Sequence, residues 1–197
     1  MDIQITPGPK VLILGHSFIS RLTQALTYDP KLSPDFNLAQ CSVSCYGISG
    51  GTVDRLKNND DLNAHIQQFQ PSVIILQIGG NDLCDPSLKA ETLACNIVDL
   101  MSDFQLHYSF VNKIVVCELF TRTQPWYITA EQYENKRRIV NQMLPILVDD
   151  KKHFWKHLRL MNSPLQIFAS DGVHLSALGM QKYYRSLRLA ILHAIES

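Results

Sequence analysis

Two segments near opposite ends of the chain contain side chains that acyl transfer requires. Residues 11–22 (VLILGHSFISRL) pass from an apolar run into Ser17, and residues 170–179 (SDGVHLSALG) contain Asp171 and His174. Acyl transfer needs a nucleophile, a general base, a group that orients the base, and donors that stabilise an oxyanion. Serine, histidine and aspartate can fill the first three roles. Ser17 could also be only the N-cap of a helix that begins there.

The spacing of Asp171 and His174 suits a base and its orienting group. A carboxylate three residues before a histidine can fold back through a tight turn and accept the imidazole Nδ1–H. That hydrogen bond fixes the tautomer and leaves Nε2 free to accept a proton. The same string could instead be an acidic helix start followed by a surface histidine, and taken alone it favours this structural interpretation.

Two glycine-rich segments could supply the oxyanion donors. Residues 46–52 (YGISGGT) contain three glycines, whose backbone N–H groups could face a ligand because glycine permits close approach and positive φ. Residues 78–82 (IGGND) place Asn81 after two glycines, where its amide could donate to an oxyanion or simply form an Asx turn. Neither segment has the GK[ST] ending of a phosphate loop. All four segments together make the catalytic interpretation the stronger one.

The elements that must position these residues alternate along the chain. Apolar runs predict three buried strands at 10–15, 72–79 and 112–119, with weaker candidates at 37–45 and 157–162. Periodic stretches predict helices at 17–28, 62–69, 89–108, 129–148 and 176–195.

This alternation predicts a three-layer α/β/α sandwich around a five-stranded parallel sheet. Ligands of such sheets bind beyond the carboxyl ends of the strands, which places Ser17, residues 79–82 and the loop after Glu118 at one rim. We expect Pro145 to kink or end its helix.

Composition narrows the class of protein. The 18 basic and 18 acidic side chains balance, so nothing resembles the basic footprint of a nucleic-acid binder. The five cysteines are odd in number and lack CxxC pairing, which predicts reduced thiols in an intracellular setting. Residues 1–10 lack the order of a signal peptide, and no apolar run is long enough to span a membrane. We expect one domain over residues 1–197, which could belong to a larger multidomain protein.

The four segments together resemble the SGNH hydrolases, the group that includes the GDSL esterases and lipases. The resemblance covers about residues 10–190 and sets Ser17 at the nucleophile position, Gly50 and Asn81 at the oxyanion positions, and Asp171 and His174 at the rest of the triad. It implies a flavodoxin-like sheet of strand order 2-1-3-4-5, with no metal or organic cofactor.

The resemblance also implies a reaction, the hydrolysis of an ester through an acyl-enzyme on Ser17. His174 would act as general base and then as general acid, supported by Asp171. The backbone N–H groups of Ser17 and Gly50, with the Asn81 amide, would bind the oxyanion. We expect a small-molecule or polymer-borne substrate with a short-chain acyl or acetyl group.

One residue departs from the family pattern, because His16 stands where the family has aspartate before the serine. We expect His16 to pack against the nucleophile turn or to form a hydrogen bond with it. A role of His16 as a second base is the less favoured alternative. The departure leaves open a binding module that recognises an acylated ligand or a protein partner with little turnover. A nucleotide-binding flavodoxin-like domain is a weaker alternative. Trp126 and Tyr127 could line a substrate pocket or merely cover the rim of the sheet.

Overall fold

Five parallel strands form one sheet in the order β2-β1-β3-β4-β5, as predicted. The computed structural model describes residues 8–148, 150–161 and 166–196. The strands are β1 (Lys10–Gly15), β2 (Ser42–Gly47), β3 (Val73–Gln77), β4 (Lys113–Cys117) and β5 (Phe154–Trp155).

Helices cover both faces of this sheet. In the described part of the chain they are α1 (Ser17–Tyr28), α2 (Val53–Lys57), α3 (Asp60–Phe69), α4 (Ala90–His107), α5 (Ala130–Val148), α6 (Asp150–His153), α7 (Leu158–Met161) and α8 (Ala177–Glu196). A 3₁₀ turn, Asp82–Cys84, follows β3. Pro145 lies inside α5 and does not end it, contrary to one of the two alternatives predicted for it.

The buried residues of β1 show how the sheet divides the core. Leu12 and Leu14 belong to an apolar cluster with buried side chains of α2, α3, α4 and α5. Val11 and Ile13 belong to a second cluster, with buried side chains of α1 and α8. Successive strand residues point to opposite faces, so a run that is apolar at every position must be covered on both sides. This is the predicted three-layer sandwich.

The two weaker strand predictions are the ones that the structure corrects. Residues 158–161 form α7 rather than a strand, and residue 162 lies outside the described residues. The fifth strand is instead Phe154–Trp155, which pairs with β4. β2 starts at Ser42, five residues later than predicted, because the apolar residues before it pack into the second cluster from a loop.

Two further observations bear on the predicted setting of the protein. Within the described ranges, no helix is both long and apolar enough to cross a membrane. All five cysteines are free thiols, of which Cys95 is exposed. The prediction about a signal peptide rests largely on residues 1–7, which lie outside the described residues.

Candidate active site

Ser17 lies at the junction between β1 and α1, at the carboxyl edge of the sheet. The backbone N–H of His16 donates to the Gln77 carbonyl of β3 (3.2 Å), which ties this junction to the neighbouring strand. His16, not Ser17, is the N-cap of α1, and its Nδ1 accepts the Phe18 N–H at 3.4 Å. Ser17 is therefore the first helical residue, its hydroxyl is not used in capping, and its backbone N–H has no acceptor within the helix.

A hydrogen-bonded chain joins the three residues predicted to form a triad. His174 Nε2 lies 3.2 Å from Ser17 Oγ, and His174 Nδ1 lies 2.7 Å from Asp171 Oδ2. The His174 side chain is only 14% exposed, and the ring of Phe18 meets it edge to face. This is the geometry of a base placed between its orienting group and its nucleophile.

The turn from Asp171 to His174 holds the carboxylate in place. Asp171 Oδ1 accepts the backbone N–H groups of Val173 (2.9 Å) and His174 (2.8 Å). The hydrogen bonds from the His174 backbone and imidazole, followed by that from Val173, hold the pKa of Asp171 well below its ordinary value. Gly172 makes the turn with φ 65°, and an added Cβ would lie 2.2 Å from Thr123 Oγ1. Asp171 is therefore an ionised acceptor for His174.

The amide of Asn81 is held between two neighbouring segments. Its Nδ2 donates to the Gly51 carbonyl at 2.8 Å, beside Gly50, whose φ is 66°. Its Oδ1 accepts from Arg122 Nη2 at 2.9 Å. Because a primary amide has two N–H donors, one remains available. Sequence reasoning missed Arg122, which follows β4 by five residues and belongs to none of the four segments.

His16 is buried beneath the nucleophile turn. Its side chain is 2% exposed and packs on the Phe18 ring, with ring centroids 5.0 Å apart. Burial, then the charges of Arg122 and His174, lower the pKa of His16 to about 3. Since Nδ1 accepts a hydrogen bond, the neutral ring carries its proton on Nε2. Among the described residues, no hydrogen bond joins the His16 ring to Ser17. The structure therefore does not favour His16 as a second base.

Comparison with known proteins assigns the chain to a family. The model of the GDSL-like lipase/acylhydrolase family matches residues 14–182, which is most of the chain and includes Ser17, Gly50, Asn81, Asp171 and His174. The chain belongs to this family. Membership makes this GDSL-like protein a carboxylic ester hydrolase. No curated protein matches it.

Solved structures show the same fold at low sequence identity. A GDSL-like lipase from Bacteroides thetaiotaomicron is 17% identical, with a TM-score of 0.72 over 94% of this chain and 89% of the other. A carbohydrate esterase of family 3 from Talaromyces cellulolyticus is 16% identical, with a TM-score of 0.66 over 95% and 98%. The acetylxylan esterase Axe2 from Geobacillus stearothermophilus is 18% identical, with a TM-score of 0.62 over 96% of each.

The buried neutral His16 predicts an acid-sensitive fold for this GDSL-like hydrolase. Below about pH 6.5 the unfolded chain protonates this histidine, whereas the folded chain does so only near pH 3, so stability is lost as the pH falls between these values. Asn at position 16 keeps an N-cap but does not titrate in this range. Between pH 7.5 and pH 4.5 we expect the free energy of unfolding to fall in both proteins, and to fall about 2 kcal/mol less in His16→Asn than in the wild type. Urea unfolding at both pH values measures the difference.

His107→Asn provides the matched control for this prediction, because that histidine is exposed on α4. We expect its pH dependence to follow the wild type. An equal loss of stability in His16→Asn and wild type would show that His16 is protonated in the folded protein.

A groove adjoins the candidate oxyanion groups. It has a volume of about 480 Å³ and is lined by Gly50, Asn81, Cys84, Asp85, Pro86, Trp126 and Tyr127. Trp126 is 51% exposed and Tyr127 is 88% exposed, so much of each ring is open to a ligand in the groove. The aromatic pair belongs to a wall beside the site, which agrees with the first of the two alternatives considered for it.

Among the described residues no group of His, Cys, Asp or Glu has the geometry to hold a metal ion.

Proposed function

We propose that this GDSL-like hydrolase is a serine esterase that cleaves short-chain acyl esters, acetyl esters foremost, through an acyl-enzyme on Ser17. The observation that carries the proposal is the hydrogen-bonded chain from Asp171 through His174 to Ser17. Ser17 at the start of α1 and His174 in the turn before α8 are 157 residues apart in the chain and meet at the carboxyl edge of one sheet. A surface histidine with no catalytic role would have no reason to be aligned in this way.

In the proposed acylation step, Ser17 Oγ attacks the ester carbonyl while His174 Nε2 accepts its proton. The negative charge that develops on the carbonyl oxygen would be stabilised by the Ser17 and Gly50 N–H groups and the remaining Asn81 N–H. Asp171 supports the imidazolium, because it is ionised and accepts the Nδ1–H. As the tetrahedral intermediate collapses, the C–O bond to the alcohol breaks and His174 returns the proton to the leaving oxygen.

Deacylation repeats these roles with water as the nucleophile. His174 takes a proton from the water, whose oxygen adds to the acyl carbon, and the same donors bind the second oxyanion. Collapse breaks the bond to Ser17, and His174 gives the proton back to Oγ. The products are the carboxylic acid and the regenerated serine, so each turnover consumes one water molecule.

The groove beside Asn81 supports a small acyl group on a larger alcohol. It is an open groove of about 480 Å³ rather than a closed tunnel, so a long acyl chain lying in it would stay in contact with water. Its aromatic wall is exposed, so a ring or a polymer could lie along Trp126 with most of its length in solvent. Two of the structures with this fold are described as an acetylxylan esterase and a carbohydrate esterase. These observations favour acetyl groups on polyhydroxylated alcohols.

Labelling with a fluorophosphonate tests the proposed nucleophile. The reagent forms a bond from Oγ to phosphorus and releases fluoride, and it requires a serine whose proton is taken by a base. We expect mass spectrometry to locate one adduct, on Ser17, that is lost in His174→Ala and kept in the control His107→Ala. A folded wild-type protein without adduct would contradict the proposal and favour a module that binds acylated ligands.

A further inference from the structure

Arg122 is a buried cation that makes no direct contact with a carboxylate among the described residues. Its charge does act on buried Asp82, where it opposes the rise in pKa that burial causes. Arg122 lies five residues after β4, is 2% exposed, and has no ion pair among the described residues. Arginine is almost never fully buried unless it is paired, because removing its charge from water is costly. Its position therefore requires an explanation in terms of what the guanidinium contacts.

The contacts of the guanidinium point to the candidate oxyanion amide. Nη2 donates to Asn81 Oδ1 at 2.9 Å, and Nη1 donates to Cys84 Sγ at 3.5 Å. The guanidinium carbon lies 5.5 Å from the centre of the Tyr133 ring, in the range of a cation–π interaction. The ring and the thiol are weak partners for a charge, so the Asn81 oxygen is the strongest acceptor of Arg122.

This contact determines which way the Asn81 amide faces. Arginine has donors only, so the amide oxygen and not the NH₂ group must point at it. The NH₂ group then faces the opposite direction, with one hydrogen bonded to the Gly51 carbonyl at 2.8 Å and the other free. A charged donor also polarises the amide and strengthens its remaining N–H as a donor. Without Arg122, the amide could flip and present its oxygen instead.

The residue before Asn81 leaves room for this arrangement. A Cβ on Gly80 would lie 3.0 Å from Arg122 Nη2, 3.3 Å from His16 Nε2 and 3.5 Å from Tyr133 Oη. Any side chain here would enter the space through which the guanidinium reaches Asn81. The next residue of the arginine loop, Thr123, donates its N–H to the Gly172 carbonyl at 2.9 Å. The loop after β4 thus contacts both the oxyanion side and the turn that holds the base.

We propose that Arg122 is a positioning residue for ester hydrolysis: its guanidinium fixes the Asn81 amide with an N–H toward the oxyanion and places a buried positive charge behind that amide. This inference rests on the proposed function, since it assigns a role to Asn81 in the same reaction. Arg122 acts through Asn81, so removing it should matter only while Asn81 is present.

A double-mutant cycle tests this dependence, with the rate of acylation by p-nitrophenyl acetate as the readout. Asn81→Ala should lower the rate about 100- to 1,000-fold if its amide is an oxyanion donor. Arg122→Met should lower it about 10- to 100-fold, with KM within about twofold of the wild type, because the interaction strengthens in the transition state. In the Asn81→Ala background, Arg122→Met should cost about threefold or less.

Arg137→Met is the matched control. Arg137 also contacts the loop after β4, donating to the Leu119 carbonyl at 3.0 Å, but it pairs with Glu134 and does not touch Asn81. We expect a lower melting temperature with an unchanged acylation rate. If Arg122→Met does not fold, Arg122→Lys carries the test, because it keeps the charge and loses the planar fork. We expect Arg122→Lys to lower the acylation rate less than Arg122→Met does. This effect should also disappear in the Asn81→Ala background.

Two results would overturn the inference. One is a loss that is equally large in the Asn81→Ala background, which would show that Arg122 acts on the fold or on another group. The other is an Arg122→Met rate within about threefold of a wild-type enzyme that acylates normally. A wild type that forms no acyl-enzyme would instead contradict the proposed function, so the two failures are distinguishable.

Discussion

Ser17→Ala is expected to lower turnover of p-nitrophenyl acetate by about a million-fold, the size of effect seen when a triad nucleophile is removed. The expected change in melting temperature is small. His16 is the N-cap, so the start of α1 does not depend on the Ser17 hydroxyl, whose hydrogen-bond partner is His174. Steady-state and burst kinetics, with thermal unfolding of the same samples, measure the two effects together.

Ser20→Ala is the control for this substitution, because Ser20 lies one turn along the same helix. Its hydroxyl is buried and has no hydrogen-bond partner in the described part of the chain, so its loss should leave activity unchanged and should not lower the melting temperature. More than about 1% of wild-type turnover in Ser17→Ala would show that the reaction does not depend on this nucleophile. A large fall in its melting temperature would show that Ser17 has a structural role as well.

The fold was predictable where strands are buried on both faces. β1 has the predicted bounds, Lys10–Gly15, because an unbroken apolar run, residues 11–14, lies between the lysine and the glycine. The edge strand β5 was not predictable, since Phe154–Trp155 is too short to show the two-residue period of a strand. The alternating pattern of residues 157–162 favoured a strand, yet Leu158 is 60% exposed, whereas His157 and Leu160, three residues apart, are both buried. Alternation in so short a stretch does not distinguish a strand from one helical turn.

The side chains that the sequence placed at one rim are those that come next to a strand end or a helix start. Ser17 comes two residues after β1, and Asn81 comes four residues after β3, so topology alone brings them to one edge. Arg122 was not predictable in this way. Its loop, which follows Glu118, was expected at the same rim, but only the three-dimensional path of that loop shows that the Arg122 side chain is the one that reaches Asn81, 41 residues earlier in the chain. No period or spacing in a single sequence records such a contact.

Asp171→Asn is expected to reduce turnover by about ten-thousand-fold while keeping the shape of the site. Asp171 Oδ1 accepts two backbone N–H groups, from Val173 and His174, so the amide oxygen of the variant must take that position. Its NH₂ group would then face His174 Nδ1, which would have to accept a hydrogen bond rather than donate one. The imidazole proton would move to Nε2, opposite Ser17 Oγ, and the base could no longer accept the serine proton.

The experiment must distinguish an effect of Asp171→Asn on the Asp171–His174 turn from its effect on the His174 tautomer. Asp35→Asn changes a carboxylate with the same kind of bond, since Asp35 Oδ1 accepts the Asn37 N–H at 2.8 Å in a loop outside the site. We expect that control to keep full activity, and we expect Asp171→Asn to keep a melting temperature near the wild type because both backbone bonds survive. Turnover of Asp171→Asn within about tenfold of the wild type would show that His174 reaches its reactive tautomer without this carboxylate. The 2.7 Å contact between them would then orient the ring and nothing more.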